Sequence, residues 1–596
     1  MATVLILSIT KKWYYLALIL LFACASKPKA VRVLTEQEQK EREVTFVSGP
    51  TQAPGPGFFV DKTSDLGLNG VTATQSYAVD FDRDGYSDLA VLPEYYSIPK
   101  FFRFNPKASK FVPIPSPFEE VLRASFLLFY DFDGDSVRDC IVGTLNQKTE
   151  MTRYPLRLFK GSYRKGRYIL KEMKDVFPTK IEPTAAVVPL DFDLDGKLDL
   201  FLANWYRKED GKNVARPDRL LKGTGTKFLD VSNLLGNEHE TSREQVKYPN
   251  AMPSFAASVC DMDQNGYPDI LLSNSSGFPD RLWMSLKDSR KKTVRYVDVG
   301  ETSGFDQDDD GQFQPRGGGN TFYAVCADYN NDGIMDVAKG ELFHSYDPET
   351  RDRSAILSGS TLDYPPKFIR TEYHRDDGSG NWSQGDRRGV WEDLNLDGLI
   401  DLIVENSGFP PKSRLVFFEQ QLNHSYEDQA KNYGLDLVNP SGTITLDWNR
   451  DGKPDLLIGQ NSLRTEAIQK RVYAFQNEFP TVYPSVRFHL RGKKANSYGI
   501  GALVLLKTNG DTQRKFVHES YGNLPSQTSE GVSFGLGNTK AELVEVRWPI
   551  LKKVKSGRMV PLLKSYNLSK YDLTKVREIT LCENGKSYEG FRKSCP

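Results

Sequence analysis

The stretch AVDFDRDGYSDLAVL, Ala78 to Leu92, sets Asp80, Asp82, Asp84 and Asp88 within nine residues, between two short apolar runs. Like charges this close repel one another, so a folded chain keeps them only where a positive charge offsets them. The nonapeptide then recurs. DFDRDGYSD at Asp80 is followed by DFDGDSVRD at Asp131, DFDLDGKLD at Asp191 and DMDQNGYPD at Asp261. DYNNDGIMD at Asp328, DLNLDGLID at Asp393 and DWNRDGKPD at Asp447 complete a set of seven, at steps of 51, 60, 70, 67, 65 and 54 residues. Seven copies of one loop make this a repeat architecture before anything else.

The loop chemistry suits calcium. Ca²⁺ takes six to eight oxygens, and a tight loop supplies them from alternate positions whose side chains converge. Positions 1, 3, 5 and 9 are Asp80, Asp82, Asp84 and Asp88 in the first copy, then Asp131, Asp133, Asp135 and Asp139, then Asp191, Asp193, Asp195 and Asp199. The fourth copy has Asp261, Asp263, Asn265 and Asp269, and the fifth Asp328, Asn330, Asp332 and Asp336. The last two have Asp393, Asn395, Asp397 and Asp401, then Asp447, Asn449, Asp451 and Asp455. These 28 side chains are the expected ligands of up to seven structural Ca²⁺ ions. Each Asn keeps an oxygen but drops a charge, which lowers affinity. Position 6 is Gly in six copies, as a turn of positive φ demands. Ser136 departs from this, so the second loop is expected to be strained or weaker.

An EF-hand is excluded. It needs a bidentate Glu at position 12, where this chain has Val91, Val142, Leu202, Leu272, Lys339, Val404 and Ile458. The flanks also alternate as strands rather than as amphipathic helices. A step of 51 to 70 residues holds four short strands with their turns, which is one propeller blade. A second signature, aromatic-x-Asp with Gly eight residues after the aromatic, recurs at Phe59, Phe228, Tyr296 and Tyr426. The expectation is an all-β chain: a seven-bladed β-propeller over 58–480, with the strand near Phe59 completing the last blade, and a small β-domain after it.

The repeats resemble the FG-GAP/VCBS repeats of seven-bladed propellers, integrin α-subunit heads among them. LRGKKANSYGIGALV (Leu490–Val504), LPSQTSEGVSFGLG (Leu524–Gly537) and VEVRWP (Val544–Pro549) resemble the ASPIC/UnbV domain, placed at 481–555 with a tail over 556–596. Propeller followed by this module is the layout of the cartilage acidic protein family and its bacterial relatives. The resemblance implies an extracytoplasmic binding or adhesion scaffold and supplies no reaction. Animal members often add an EGF-like module, for which the two cysteines of this tail are too few.

At the other end, Lys11 and Lys12 precede WYYLALILLFACA, which is too short to span a bilayer but fits a signal peptide over 1–23. The run ends LFAC, which resembles the lipobox of bacterial lipoproteins and makes Cys24 the lipidation candidate, followed by a Pro/Gly-rich tether to residue 57. Export to the outer membrane or cell surface follows, with membrane contact through the lipid alone. Cys582 and Cys595 are expected to form a disulfide. Cys140 reads as core filler. Cys260 and Cys326 sit one and two residues before their loops, so strand alternation aims them at opposite faces and no bridge between them is expected.

Charge excludes one class of partner. With 78 basic and 78 acidic residues the formal net charge is zero, which gives no electrostatic case for nucleic acid. GVSFG (Gly531–Gly535) matches the G-x-S-x-G elbow on paper, but strand-forming sequence follows where a helix is needed. The six His are scattered, and no nucleophile–base pair stands out. The segment Arg351–Asp386, rich in aromatics, charges and glycines, is a candidate cover for one face. The reading is a calcium-stabilised lipoprotein scaffold for a protein or glycan ligand. The alternative is an exported propeller enzyme, or enzyme accessory, working on polysaccharide or a small substrate at the central face.

Overall fold

The structure is a computed structural model that describes residues 46–47, 57–145, 156–178, 182–236, 247–288, 293–306, 319–343, 353–373, 384–410 and 412–596. Residues 1–23, read above as a signal peptide, Cys24 and most of the expected tether lie outside these residues.

The chain is almost wholly β among the described residues. The first repeat makes an antiparallel meander of Gln75–Val79, Asp88–Leu92, Lys100–Asn105 and Lys110–Ile114. Its first two strands are buried throughout and its last two only in part, because the inner half lies between neighbouring sheets and the outer half faces water. The same order repeats from Phe126, Thr184, Ser254, Thr321, Gln384 and Pro440. The last of these meanders has only three strands of its own, and Phe59–Asp61 supplies the fourth, with Phe59 opposite Asn477. Chain start and repeat end are thereby tied together.

An apolar cluster fills the space between each consecutive pair of meanders. Phe81, Phe101, Phe129 and Leu170 join the first to the second, and Trp448 and Leu457 meet Leu89 and Phe102 between the last and the first. The ring is closed by packing as well as by that strand. The segment Arg351–Asp386 is no cover where it is described: Ala355–Gly359 and Phe368–Glu372 are the outer strands of the fifth meander.

Two cysteines correct the sequence reading. Cys260 and Cys326 form a disulfide, with Cα atoms 6.3 Å apart. Alternation does aim them at opposite faces, but of two different sheets. Cys260 ends the first strand of the fourth meander and Cys326 lies in the first strand of the fifth. Facing surfaces of adjacent blades are opposite faces of their own sheets, so opposite parity is what brings the sulfurs together in the shared cluster with Met262 and Val337.

The C-terminal region also departs from expectation. Residues 556–596 are not a tail but complete the β-domain. Glu578–Cys582 pairs in parallel with Ser485–Arg491, and Met559–Asn567 lies along Ala541–Lys553. Two four-stranded sheets result, with Trp548, Val546 and Phe488 between them. Cys582, buried in this domain, is bonded to Cys595. The strand AELVEVRWPILKK runs through Pro549, which the structure absorbs as an irregularity between Trp548 and Leu551.

Candidate metal centres

The loops join first and second strands, so all seven emerge on one face of the ring. Their shape comes from carboxylates that bind their own backbone. In every copy Oδ2 of the position-1 Asp accepts the position-6 amide at 2.8–3.1 Å. Oδ1 of position 5 accepts the position-7 amide at 2.7–3.0 Å. Position 6 has the expected positive φ, Ser136 included at 65°. Position 4 has it too, in Arg83, Leu194, Gln264, Asn331, Leu396 and Arg450 as well as Gly134. Gly134 and Asn331 favour that conformation, but the other five residues do not announce it; the hydrogen bonds on either side impose it.

The ninth residue does more than the sequence suggested. Its Oδ2 accepts the position-2 amide at 2.8–3.3 Å. Its Oδ1 accepts an amide of the third strand, from Phe104 to Asn477, at 2.7–3.0 Å. These seven aspartates are buried and stitch each loop to its blade. A carboxylate has about four acceptor sites, so both oxygens keep lone pairs for a cation.

Convergence is clearest in the four loops with aspartate at positions 1, 3 and 9. Oxygens of Asp80, Asp82 and Asp88, of Asp131, Asp133 and Asp139, of Asp191, Asp193 and Asp199, and of Asp261, Asp263 and Asp269 lie within 4.8 Å of one another. The position-5 side chains Asp84, Asp135 and Asp195 stand outside these trios. Burial, reinforced by the neighbouring loop carboxylates, pushes Asp80 up to about 7, and Asp191 and Asp199 well above the usual carboxylate range. Asp139 and Asp393 rise to about 8, again mainly through burial. Charge held this way wants a cation. Oδ1 of Asp261, Asp328 and Asp393 is buried and accepts no hydrogen bond among the described residues. The donor set is hard oxygen throughout, which fits Ca²⁺.

Protein cations already answer part of the charge. In the three all-aspartate loops a basic side chain of the third strand leans in. Lys160 contacts Asp133 and lies 2.9 Å from Asp135, Lys222 contacts Asp193 and lies 2.8 Å from Asp195, and Arg103 is 3.9 Å from Asp82. The four loops containing Asn have no basic residue at the corresponding place.

The C-terminal domain sits directly on this face. Arg547 Nη2 donates to Asp261 Oδ2 at 2.8 Å, Arg514 Nη1 to Asp328 Oδ2 at 2.9 Å and Ser497 Oγ to Asp131 Oδ2 at 2.5 Å. In the fourth and fifth loops one position-1 oxygen therefore holds the domain while the other stays unmatched. The approach is close: a Cβ at Gly196 would lie 1.8 Å from the Lys494 carbonyl oxygen, and one at Gly535 2.0 Å from Asp393 Oδ2. Ser136 replaces glycine where Tyr498 donates to its carbonyl at 3.1 Å and Ser497 Oγ lies 3.3 Å from its hydroxyl.

From the same domain a hairpin, Ser520–Tyr521 with Ser526–Gln527, enters the centre of the ring. It adds in parallel to the first blade, Tyr77 opposite Gln527. The Gln527 amide spans Phe129, accepting from its N–H at 2.9 Å and donating to its carbonyl at 2.8 Å. The Leu524 amide donates to Ala185 O, and Thr528 meets Thr445. First strands of four different blades are thus bound by one hairpin. Val532–Gly535 is a strand, and Ser533 Oγ accepts from Arg487 at 2.9 Å, so G-x-S-x-G is no elbow.

Comparison with known proteins bears on the domain just described. Residues 492–572 match the family described as ASPIC and UnbV. Cartilage acidic protein 1 of Homo sapiens is similar at 21% identity over 457 residues, 73% of this chain and 61% of that protein. The Xenopus tropicalis protein of the same name is 20% identical over 446 residues, 70% of this chain and 60% of that one. The chain therefore spans about three-fifths of the length of these relatives. Among solved structures, rhamnogalacturonan lyase YesW is similar at TM-score 0.28 and 13% identity, over 72% of this chain and 92% of its own. The Chaetomium thermophilum Nup170 domain in complex with Nup53 reaches TM-score 0.35 at 8% identity, over 73% and 63%. Superpositions this loose decide nothing about the site. The ASPIC/UnbV match is wholly contained in the domain that covers the aspartate loops.

Proposed function

We propose that this protein is a calcium-stabilised, extracytoplasmic, lipid-anchored scaffold whose outer surface binds a macromolecule, a protein or a glycan. The observation that carries this reading is the set of seven oxygen-lined loops beneath the C-terminal domain, four of them with converging aspartates and some with a buried carboxylate oxygen that accepts no hydrogen bond among the described residues. Calcium at the loops would hold blade, loop and domain in one arrangement. Its chemistry there is electrostatic, and the residues present call for nothing more. The hairpin around Ser520–Gln527 binds first strands of four blades at the centre of the ring, so rim and blade edges are the surfaces proposed for a partner. Capture of envelope and matrix components on immobilised protein, in 1 mM calcium and in EDTA, tests the reading. Selective, calcium-dependent retention of a macromolecule supports it, and turnover of a small substrate with no such retention would replace it with the enzyme reading.

The anchor has its own test. Cys24 follows a charged segment and a short apolar run and precedes a polar tether. In two-phase detergent partition the wild-type protein is expected in the detergent phase and Cys24→Ala in the aqueous phase. Equal partition into the aqueous phase would remove the anchor.

A further inference from the structure

A cavity of about 60 Å³ lies at the seam between the C-terminal domain and the fifth, sixth and seventh blades. A water needs about 10–15 Å³ of such space, so there is room for several waters or one compact polyatomic ion. Its walls carry three cations, Arg487, Arg514 and Lys515, and one carboxylate, Glu392, which accepts from Lys515 Nζ at 3.1 Å. Arg514 spends Nη1 on Asp328, while its Nε is buried and donates to nothing among the described residues. Arg487 donates to Ser529 Oγ at 2.6 Å and to Ser533 Oγ at 2.9 Å. Each hydroxyl that accepts from an arginine keeps its own proton to donate. His518 on the same wall is pushed down to about 4 by burial and stays neutral near pH 7.

We propose that this cavity binds one small oxyanion of sulfate or phosphate size, held by Arg487, Arg514 and Lys515 and by the hydroxyls of Ser529 and Ser533. Donors outnumber acceptors on the walls: Asp328 answers Arg514 and Glu392 answers Lys515, but the Arg514 Nε has no acceptor among the described residues, Arg487 donates to two serines, and both serines are left with protons to give. Polar donors turned away from water need acceptors, and charge-assisted bonds to an oxyanion would supply them. The position also has a consequence for assembly. Arg487, Arg514, Lys515, Ser529 and Ser533 all belong to the C-terminal domain, and Lys515 also reaches Glu392 of the sixth blade, so an ion here would sit at the seam and hold Lys515 in place without touching a position-9 aspartate.

Equilibrium dialysis of the whole protein with radiolabelled sulfate, in 1 mM calcium, tests the proposal; sulfate is used because phosphate precipitates calcium. One sulfate per chain is expected to bind saturably at millimolar or lower concentration. Lys515→Gln should weaken it at least tenfold and Lys515→Arg should keep it within a few-fold. Calcium stoichiometry, measured on the same samples, should be the same in all three proteins. Thermal unfolding adds a second readout on the wild type alone: a stabilisation that saturates with sulfate, unlike the steady rise from excluded salts. Binding that does not saturate, that exceeds one per chain without a tight class, or that survives Lys515→Gln unchanged would overturn the site.

Discussion

In excess EDTA the protein is expected to melt well below its temperature in 1 mM calcium, and to become protease-sensitive across the ring and the C-terminal domain together. Extracellular calcium modules have Kd values of roughly 10⁻⁴–10⁻³ M. At about 1 mM calcium, mass action then gives roughly 0.4–1.4 kcal/mol per site, so seven additive sites give about 3–10 kcal/mol, comparable to the whole stability of a typical domain. With an unfolding entropy of about 2 cal/mol/K per residue over the unit Val44–Pro596, this is a shift of about 3–9 °C. The two regions should respond together because Asp261 and Asp328 each hold an arginine of the C-terminal domain on one oxygen. Withdrawing a cation from the other oxygen loosens both. Differential scanning calorimetry with limited proteolysis reads this directly. Identical curves in EDTA and calcium would mean that the loops are not structural calcium sites.

The second large effect separates two aspartates of one loop. Asp199→Ala is expected to destabilise by about 2–6 kcal/mol whether or not calcium is present. It leaves the Phe192 and Gly223 amides, held now at 3.0 and 2.7 Å, without an acceptor in a buried place, at about 1–3 kcal/mol each. Asp195→Ala, four residues earlier and half-exposed, loses mainly a cation contact and the bonds of one turn. It should matter in calcium and have little effect in EDTA. Chemical unfolding of both variants under both conditions decides between the roles. Equal sensitivity to EDTA in the two variants would mean that position 9 acts chiefly through the metal.

Much of this molecule was legible one residue at a time. The loop register, the repeat length and the run of short strands are local properties, set by alternating carboxylates, by turn residues and by period-2 burial. They made the all-β class and the candidate ligands readable from Asp80 to Asp455. The resemblance of Leu490–Val504 and Leu524–Gly537 to the ASPIC/UnbV domain was equally visible.

What could not be read was decided by which distant surfaces meet. Cys260 and Cys326 pair because two blades face each other, and alternation within one strand does not see the neighbouring sheet. Lys339, the lone charge among the position-12 residues, is buried 2.6 Å from Asp280 of the preceding blade, a partner 59 positions away that no local pattern signals. Residues 556–596 became strands because Ser485–Arg491 offered an edge to Glu578–Cys582. The sequence alone determined that seven oxygen-rich loops would exist and which residues would line them. Only the tertiary structure placed a second domain on top of them and its hairpin in the centre of the ring, because docking depends on the complementarity of finished surfaces rather than on the residues of either surface read in order.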